Sequence, residues 1–301
     1  MLSVHAPEAM IDGLYALRES FHAIKIEERK IFDIVRPVTD VLDHFFDPSR
    51  TGITSSLMFG SWARGTAIPA SSDYNIAYEL PPRLTENILN LDQGGAIAIL
   101  ALVDRLIKEK FPHAQKRPER GSITIKLGTG VAIDVRPCIR NHAAGFAYPD
   151  GRKDGSWRVF NPHLGIEAFR KLNSLTRENL IFICRAMRIW RERHSVPLSG
   201  ILIDTLAYRF IETSPYRQKS PRYQDCLFRD FLGFLAAIDP EQEWWFAPGS
   251  HEPVLRKGPF EAKALEGFRL VQQAMELDAA QQHRAAWKIW GQVLGETYAI
   301  I

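Results

Sequence analysis

Three features that mark whole classes of protein are scarce or missing in this sequence: cysteine, net charge and long apolar runs. The three cysteines, Cys138, Cys184 and Cys226, form neither a CxxC pair nor an even set for disulfides, so reduced thiols are expected. The net charge of +3, from 38 basic and 35 acidic residues, argues against an obligatory nucleic-acid partner. No apolar run approaches the roughly 20 residues of a membrane span, and there is no signal-peptide pattern. These absences predict a cytoplasmic globular protein without a membrane partner.

The hydrophobic pattern changes its character near Asn161. Before that point, helix-period stripes between Pro7 and Phe46 are followed by short strand patterns and by a helix pattern over Asn87–Phe111. The later helix patterns are Leu164–Leu172, Arg177–His194, Ile201–Glu212, Tyr223–Ile238 and Phe260–Tyr298. This order predicts an α+β protein with two lobes, a mixed β-sheet lobe over residues 1–160 and a helical lobe over residues 161–301 that closes over the sheet.

The stretch from Leu57 to Tyr78 has the pattern strand, glycine turn, short helix, loop and second strand. Its first apolar run ends at Gly60 and Ser61. Gly60 leaves room for a ligand, and the Ser61 hydroxyl and nearby backbone N–H groups can meet phosphate oxygens. Most Gly-Ser pairs are ordinary turns, so the pair by itself does not identify a site. Its interpretation depends on the polar residues that follow.

Three polar side chains are placed to converge near this turn. Asp73 and Asn75 stand two positions apart at a strand start, so both project from the same face. Asp134 lies in the second arm of a hairpin pattern, and Ile133 and Val135 of that arm face the opposite way. Taken singly, the first two are typical of an Asx turn and Asp134 of a solvated charge on a sheet. Taken together, Asp73, Asn75 and Asp134 predict a metal-binding group.

Several segments carry a family resemblance. The segments Phe59–Thr66, Ser72–Ile76 and Ile133–Pro137 resemble the signature of the polymerase-beta-like nucleotidyltransferase superfamily. Four later segments resemble, more narrowly, the bacterial cGAS/DncV-like nucleotidyltransferases (CD-NTases of the SMODS type), the signal synthases of CBASS antiphage systems. These segments are Ser156–Pro162, Cys184–Trp190, Pro197–Asp204 and Ala286–Gly291. Because the matching segments are spread over nearly the whole chain, the resemblance concerns the entire protein.

The resemblance implies a long N-terminal helix bracing both lobes and a template-independent transfer between nucleoside triphosphates. Asp73, Asp134 and the acid that the family has at position 75, which is Asn75 in this chain, would hold two Mg²⁺ ions, with Mn²⁺ as an alternative. The residues assigned to nucleotide binding are Gly60, Ser61, Arg64, Arg188 and Ser199. Arg188 stands where the family has a lysine, and a planar fork binds phosphate differently from a point charge. The product would be a cyclic di- or trinucleotide that acts on a separate effector.

One position departs from the family pattern. Active members carry Asp or Glu where this chain has Asn75, and an amide oxygen can bind a cation but adds no charge. We therefore expect weakened metal binding and low or absent turnover, whether the asparagine is natural or introduced. Two other functions stay open: a catalytically silent nucleotide-binding sensor and a terminal RNA nucleotidyltransferase. The near-neutral charge lowers the expectation of an RNA-binding extension.

Three further stretches leave a binding role open. The basic stretch Lys116–Arg120 either faces a polyphosphate or is an ordinary surface run, and the surface interpretation is favoured. The arginines within Arg185–Arg191 recur at three-residue spacing, which is typical of a phosphate-binding helix face and of a solvated one. The aromatic stretch Trp244–Phe246 is expected to be a packed anchor rather than a base-stacking surface.

Overall fold

The chain divides into two units, one ending at Ile166 and the other beginning at Glu167. The structure, a computed structural model, describes residues 31–49, 56–69, 71–89, 93–127, 131–141, 145–150 and 155–295. We call residues 31–166 the sheet unit and residues 167–295 the helical unit. The division lies a few residues after the boundary of 160 and 161 that the sequence predicts. Residues 7–30 of the predicted N-terminal helix, and residues 296–298 of the last helix pattern, lie outside the described residues.

The sheet unit contains a mixed sheet with helices. Its elements are α1 (Ile31–Phe46), β1 (Ser56–Phe59), α2 (Gly60–Arg64), β2 (Tyr74–Glu79), α3 (Pro82–Leu89), α4 (Gln93–Lys110), β3 (Gln115–Arg117), β4 (Ser122–Lys126), β5 (Ala132–Asn141), β6 (Gly145–Asp150) and β7 (Ser156–Phe160). The strand order is β1-β2-β5-β4-β3, and β6 pairs with β5 and β7. Only the β2–β5 pairing is parallel among the described strands. The predicted α+β class with a mixed sheet is therefore confirmed.

The two central strands, β2 and β5, are held by a core on one face of the sheet. Ile76 and Tyr78 of β2 and Ile133 and Val135 of β5 are almost completely buried. On each strand these residues stand two positions apart and therefore share one face, because successive side chains point to opposite faces. The Tyr78 hydroxyl donates to Asp43 of α1 at 2.9 Å, which satisfies a polar group inside this core. The neighbouring side chains on the two strands, Asn75 and Asp134, consequently lie on the opposite face.

The helical unit contains five helices and one hairpin. They follow a leading helix that begins before residue 167. That leading helix is α5 (Pro162–Leu175), and the others are α6 (Asn179–His194), α7 (Gly200–Thr213), α8 (Gln224–Ala236), α9 (Glu261–Ala279) and α10 (His283–Leu294). No helix in the described ranges has the length and apolar character to cross a bilayer. All three cysteines are buried free thiols.

One local prediction for this unit is wrong, and another is correct for one residue only. The pattern over Phe260–Tyr298 was expected to form one helix, but α9 and α10 are separate because Gln281 has a left-handed backbone, with φ +61°. A hairpin of β8 (Trp244–Phe246) and β9 (Pro253–Leu255) interrupts the helices. Only Trp245 of the aromatic stretch is a packed anchor, with 3% exposure, whereas Trp244 and Phe246 are each 47% exposed. Alternation along the strand explains this split.

Candidate functional site

Strand pairing brings the predicted polar residues of the sheet unit together. Asn75 of β2 lies directly opposite Asp134 of β5 in the parallel pairing. On its other side, Asn75 lies opposite Phe59, the last residue of β1, and Gly60 follows at once. Paired strands are about 4.8 Å apart. The Gly60 turn, Asn75 and Asp134 therefore occupy one line across three neighbouring strands.

Asp73 is fixed against the beginning of β5. Its Oδ1 accepts a hydrogen bond from the backbone N–H of Ala132 at 3.0 Å, across 59 positions of sequence. The Asn75 side chain donates through Nδ2 to the backbone carbonyl of Asp73 at 3.2 Å. Because the side-chain nitrogen of Asn75 donates this hydrogen bond, its amide oxygen is the atom that can bind a cation. Asp73 and Asn75 thus lie beside the part of β5 that carries Asp134, and the metal-binding role of the three residues stays a prediction.

Asp134 is not the solvated charge that its position on the open face would allow. Its residue exposure is 7%, because two side chains cover the carboxylate. The hydroxyl of Thr124, directly opposite on β4, donates to Oδ1. Nη1 of Arg120 contacts Oδ2 at 3.3 Å. Both carboxylate oxygens thus have partners within the protein, and neither contact is among the predictions from the sequence.

Gly60 cannot be replaced without disturbing Asn75. Its backbone is left-handed, with φ +78°, and a Cβ added there would lie 2.7 Å from Asn75 Nδ2. Both facts require glycine, since an L side chain rarely adopts this φ and real Cβ atoms do not make contacts so short. Ser61 follows and is half-buried, and its carbonyl accepts the N–H of Thr66 at 2.8 Å. Arg64 is half-buried in the last turn of α2.

The donor set matches a divalent cation in ligand type but not in total charge. Carboxylate and amide oxygens are the ligands that Mg²⁺ prefers. Yet the described ranges contain no group of three or more His, Cys, Asp or Glu residues that could hold a metal ion, since position 75 is an amide. Asp73 and Asp134 contribute two negative charges and Arg120 one positive charge, which leaves a net charge of −1. This charge does not fit a pair of divalent ions, which needs concentrated negative charge.

The two nucleotide-binding residues predicted in the helical unit are both engaged there. Arg188 is 1% exposed and its Nη1 lies 2.6 Å from Asp204. Its guanidinium also donates to the carbonyls of Cys184 at 3.1 Å and Gly200 at 3.0 Å. Burial disfavours the charged form, but the contact with Asp204 outweighs it, and the pKa of Arg188 is raised. Ser199 caps α7, because its Oγ accepts the N–H of Leu202 at 3.2 Å.

The interpretation of Arg185–Arg191 as an exposed basic face is wrong for its first two arginines. Arg185 and Arg188 are 3% and 1% exposed. The residue missed by sequence reasoning is Asp204, which is completely buried beside Arg188. Its signal was an acid standing inside the apolar run Ile201–Leu206, because a buried acid is rare unless it is paired. The nucleotide-binding roles of Arg188 and Ser199 stay predictions.

Solved structures of other proteins have a similar fold. The chain matches E. coli MS115-1 CdnC with ATP at a TM-score of 0.63 and 14% identity, covering 91% of this chain and 93% of that one. It matches Vibrio cholerae DncV cyclic AMP-GMP synthase with a linear intermediate at 0.63 and 14%, covering 96% and 90%. For Bradyrhizobium diazoefficiens CdnG with GTP the values are 0.61 and 12%, covering 90% of each chain.

A family profile identifies the chain more specifically than these structures do. No curated protein sequence matches it significantly. The profile described as "Second Messenger Oligonucleotide or Dinucleotide Synthetase domain" matches residues 17–173. That range contains the Gly60 turn, Asp73, Asn75 and Asp134, and it covers more than half of the chain. The protein therefore belongs to the SMODS family of CD-NTases.

Proposed function

We propose that the protein is a template-independent nucleotidyltransferase that joins nucleoside triphosphates into a cyclic di- or trinucleotide. One observation carries this proposal: the Gly60 turn, Asp73, Asn75 and Asp134 lie on or directly beside three neighbouring strands, inside the region that matches the SMODS profile. Solved structures with the same fold contain ATP, GTP or a linear dinucleotide intermediate. These ligands support nucleoside triphosphates as the substrates of this chain.

In the proposed reaction, an acceptor hydroxyl attacks the α-phosphorus of a triphosphate. The new oxygen–phosphorus bond forms as the bond to the departing pyrophosphate breaks, and a second transfer in the same pocket closes the ring. Gly60 leaves space for the triphosphate, and the Ser61 hydroxyl donates to a phosphate oxygen. Asp73 is held in place by the Ala132 N–H. Asp73, Asp134 and the amide oxygen of Asn75 would hold a divalent ion, which would neutralise charge on the triphosphate and lower the pKa of the attacking hydroxyl.

Asn75 reduces turnover in this proposal. It takes a position where the family reaction uses a carboxylate, and the charge of −1 around Asp73, Asp134 and Arg120 already disfavours two divalent ions. Arg188 is proposed to contribute to nucleotide binding through Ser199, because its buried guanidinium donates to the carbonyl of Gly200, the residue after Ser199. Arg64 and Ser199 are proposed to contact the nucleotide. The product would be read by a separate effector protein in cytoplasmic antiphage defence.

Incubation of the Asn75→Asp variant with labelled nucleoside triphosphates and Mg²⁺ tests the function. The expected product is small, resistant to phosphatase and identifiable as a cyclic oligonucleotide by mass spectrometry. Extension of added RNA instead would identify a terminal RNA nucleotidyltransferase. Nucleotide binding without any product from either form would identify a sensor, which Asn75 keeps as the second candidate. Both of these last outcomes contradict the proposed synthesis.

A further inference from the structure

The contact between Arg120 and Asp134 places a fixed positive charge at the candidate site. We propose that Arg120 is a built-in cation, whose guanidinium takes the place at Asp134 that a divalent ion would otherwise take. The native chain then binds divalent ions weakly and binds a triphosphate with little dependence on them. The triphosphate part of this inference rests on the proposed function, whereas the competition between Arg120 and the metal ion does not.

The backbone around Arg120 is constrained. Arg120 ends a 3₁₀ turn, Pro118–Arg120, and Gly121 follows with a left-handed φ of +59°. A Cβ at Gly121 would lie 2.0 Å from the carbonyl oxygen of Pro149 on β6. The chain must therefore carry glycine there, pressed against β6, because any side chain would clash with backbone. This close packing aims Arg120 at β5 from a defined position.

The side chain of Arg120 is exposed to solvent, although it contacts a buried acid. Its exposure is 54%, whereas that of the Asp134 side chain is 9%. One edge of the guanidinium contacts Asp134 Oδ2, and Thr124 occupies Oδ1. Within the described residues, Arg120 has no second ion-pair partner. Its solvent-facing N–H groups are therefore free for phosphate oxygens, to which an arginine fork is well matched.

The amide at position 75 agrees with a role for Arg120 in place of a metal ion. With a carboxylate at position 75, the group of Asp73, Asp134 and residue 75 would carry three negative charges and would attract divalent ions against one arginine. With the amide, only two negative charges face Arg120. A guanidinium supplies one positive charge without a metal ion. The missing acid at position 75 and the contact of Arg120 with Asp134 therefore both lower the affinity for divalent ions.

The chain offers a matched control in Arg140. Its side chain is also 54% exposed, and it pairs with a carboxylate on the neighbouring strand, with Nε donating to Glu79 at 2.9 Å. It lies on β5 six residues beyond Asp134, about 20 Å along the strand. Arg140→Gln therefore removes one positive charge from the strand that carries Asp134, without removing a contact of Asp134.

Titration with Mn²⁺, followed by electron paramagnetic resonance without nucleotide, tests the competition. Arg120→Gln should bind Mn²⁺ roughly tenfold more tightly than the native chain, since a positive charge next to the ligand has been removed. Arg140→Gln and the charge-conserving Arg120→Lys should match the native affinity to within about twofold. Melting curves verify that each variant is folded. Equal Mn²⁺ affinity for native and Arg120→Gln proteins overturns the proposal.

Binding of a non-hydrolysable ATP analogue tests the second part. The affinity of the native chain for the analogue in EDTA should stay within about threefold of its affinity in Mg²⁺. The affinity of Arg120→Gln should fall roughly tenfold in EDTA but not in Mg²⁺. An equal loss for Arg140→Gln, or no loss for Arg120→Gln, contradicts a role for Arg120 in triphosphate binding. If none of the proteins binds the analogue, the proposed function fails, and the Mn²⁺ titration still decides the competition.

Discussion

The Asn75→Asp variant is expected to release pyrophosphate from nucleoside triphosphates roughly 10²- to 10³-fold faster than the native chain, comparable to the effect of one preorganised electrostatic contact. Asn75 lies opposite Asp134 and beside Gly60, so a carboxylate there adds its charge within the site itself. The exchange leaves the size of the side chain nearly unchanged. Single-turnover pyrophosphate release in saturating Mg²⁺ measures the ratio.

The control for this prediction keeps the number of carboxylates constant. The double variant Asn75→Asp/Asp134→Asn has two acids, as the native site does, but at positions 73 and 75 instead of 73 and 134. We expect it to lose the entire gain of the single variant, because two ions need acids on both β2 and β5. A double variant as fast as Asn75→Asp would show that Asp134 is outside the reaction.

Removal of Arg188 is expected to destabilise the helical unit by about 3–5 kcal/mol, the usual effect of breaking a buried ion pair. Asp204 is completely buried, and Arg188 lies 2.6 Å from its carboxylate. Arg188→Met leaves this acid buried without its charged partner. Urea unfolding followed by circular dichroism measures the free energy of unfolding, and the unfolding of the helical unit should shift to lower urea concentration.

The double variant Arg188→Met/Asp204→Leu separates the charge from the packing. It leaves no buried charge, so it should recover most of the stability that the single variant loses, since apolar pairs often replace buried ion pairs without cost. A single variant as stable as the native protein would mean that Asp204 does not depend on Arg188. A double variant no more stable than the single one would mean that packing or the contacts with Cys184 and Gly200 matter more than charge.

The central geometry was accessible from sequence because it depends on local patterns. The two-residue spacing of Asp73 and Asn75 places them on one face at the start of β2. The hairpin pattern places Asp134 on the face of its strand that is opposite to the face of Ile133 and Val135. The same hairpin implies a partner across the strands. Thr124 lies directly opposite Asp134 in that register, so this contact was within reach of the sequence, although it was not identified.

The contacts that sequence could not supply join separate elements. Arg120 reaches Asp134 because the turn before β4 packs on β6, and nothing in the local pattern of Lys116–Arg120 distinguishes it from a surface run. Arg188 was assigned to the nucleotide because the resemblance places it where the family has a lysine, and neither the resemblance nor helix spacing shows whether that face of α6 is buried. The break at Gln281 lacks the glycine or proline that normally signals a helix end.

A crystal structure of the native chain with Mn²⁺ and a non-hydrolysable ATP analogue tests the central claim most directly. The account predicts the triphosphate beside Gly60 and Ser61, Arg120 turned to a phosphate or still on Asp134, and anomalous density for at most one Mn²⁺ next to Asp73. A nucleotide bound elsewhere in the protein, with no ligand near Asp73, Asn75 and Asp134, would contradict it.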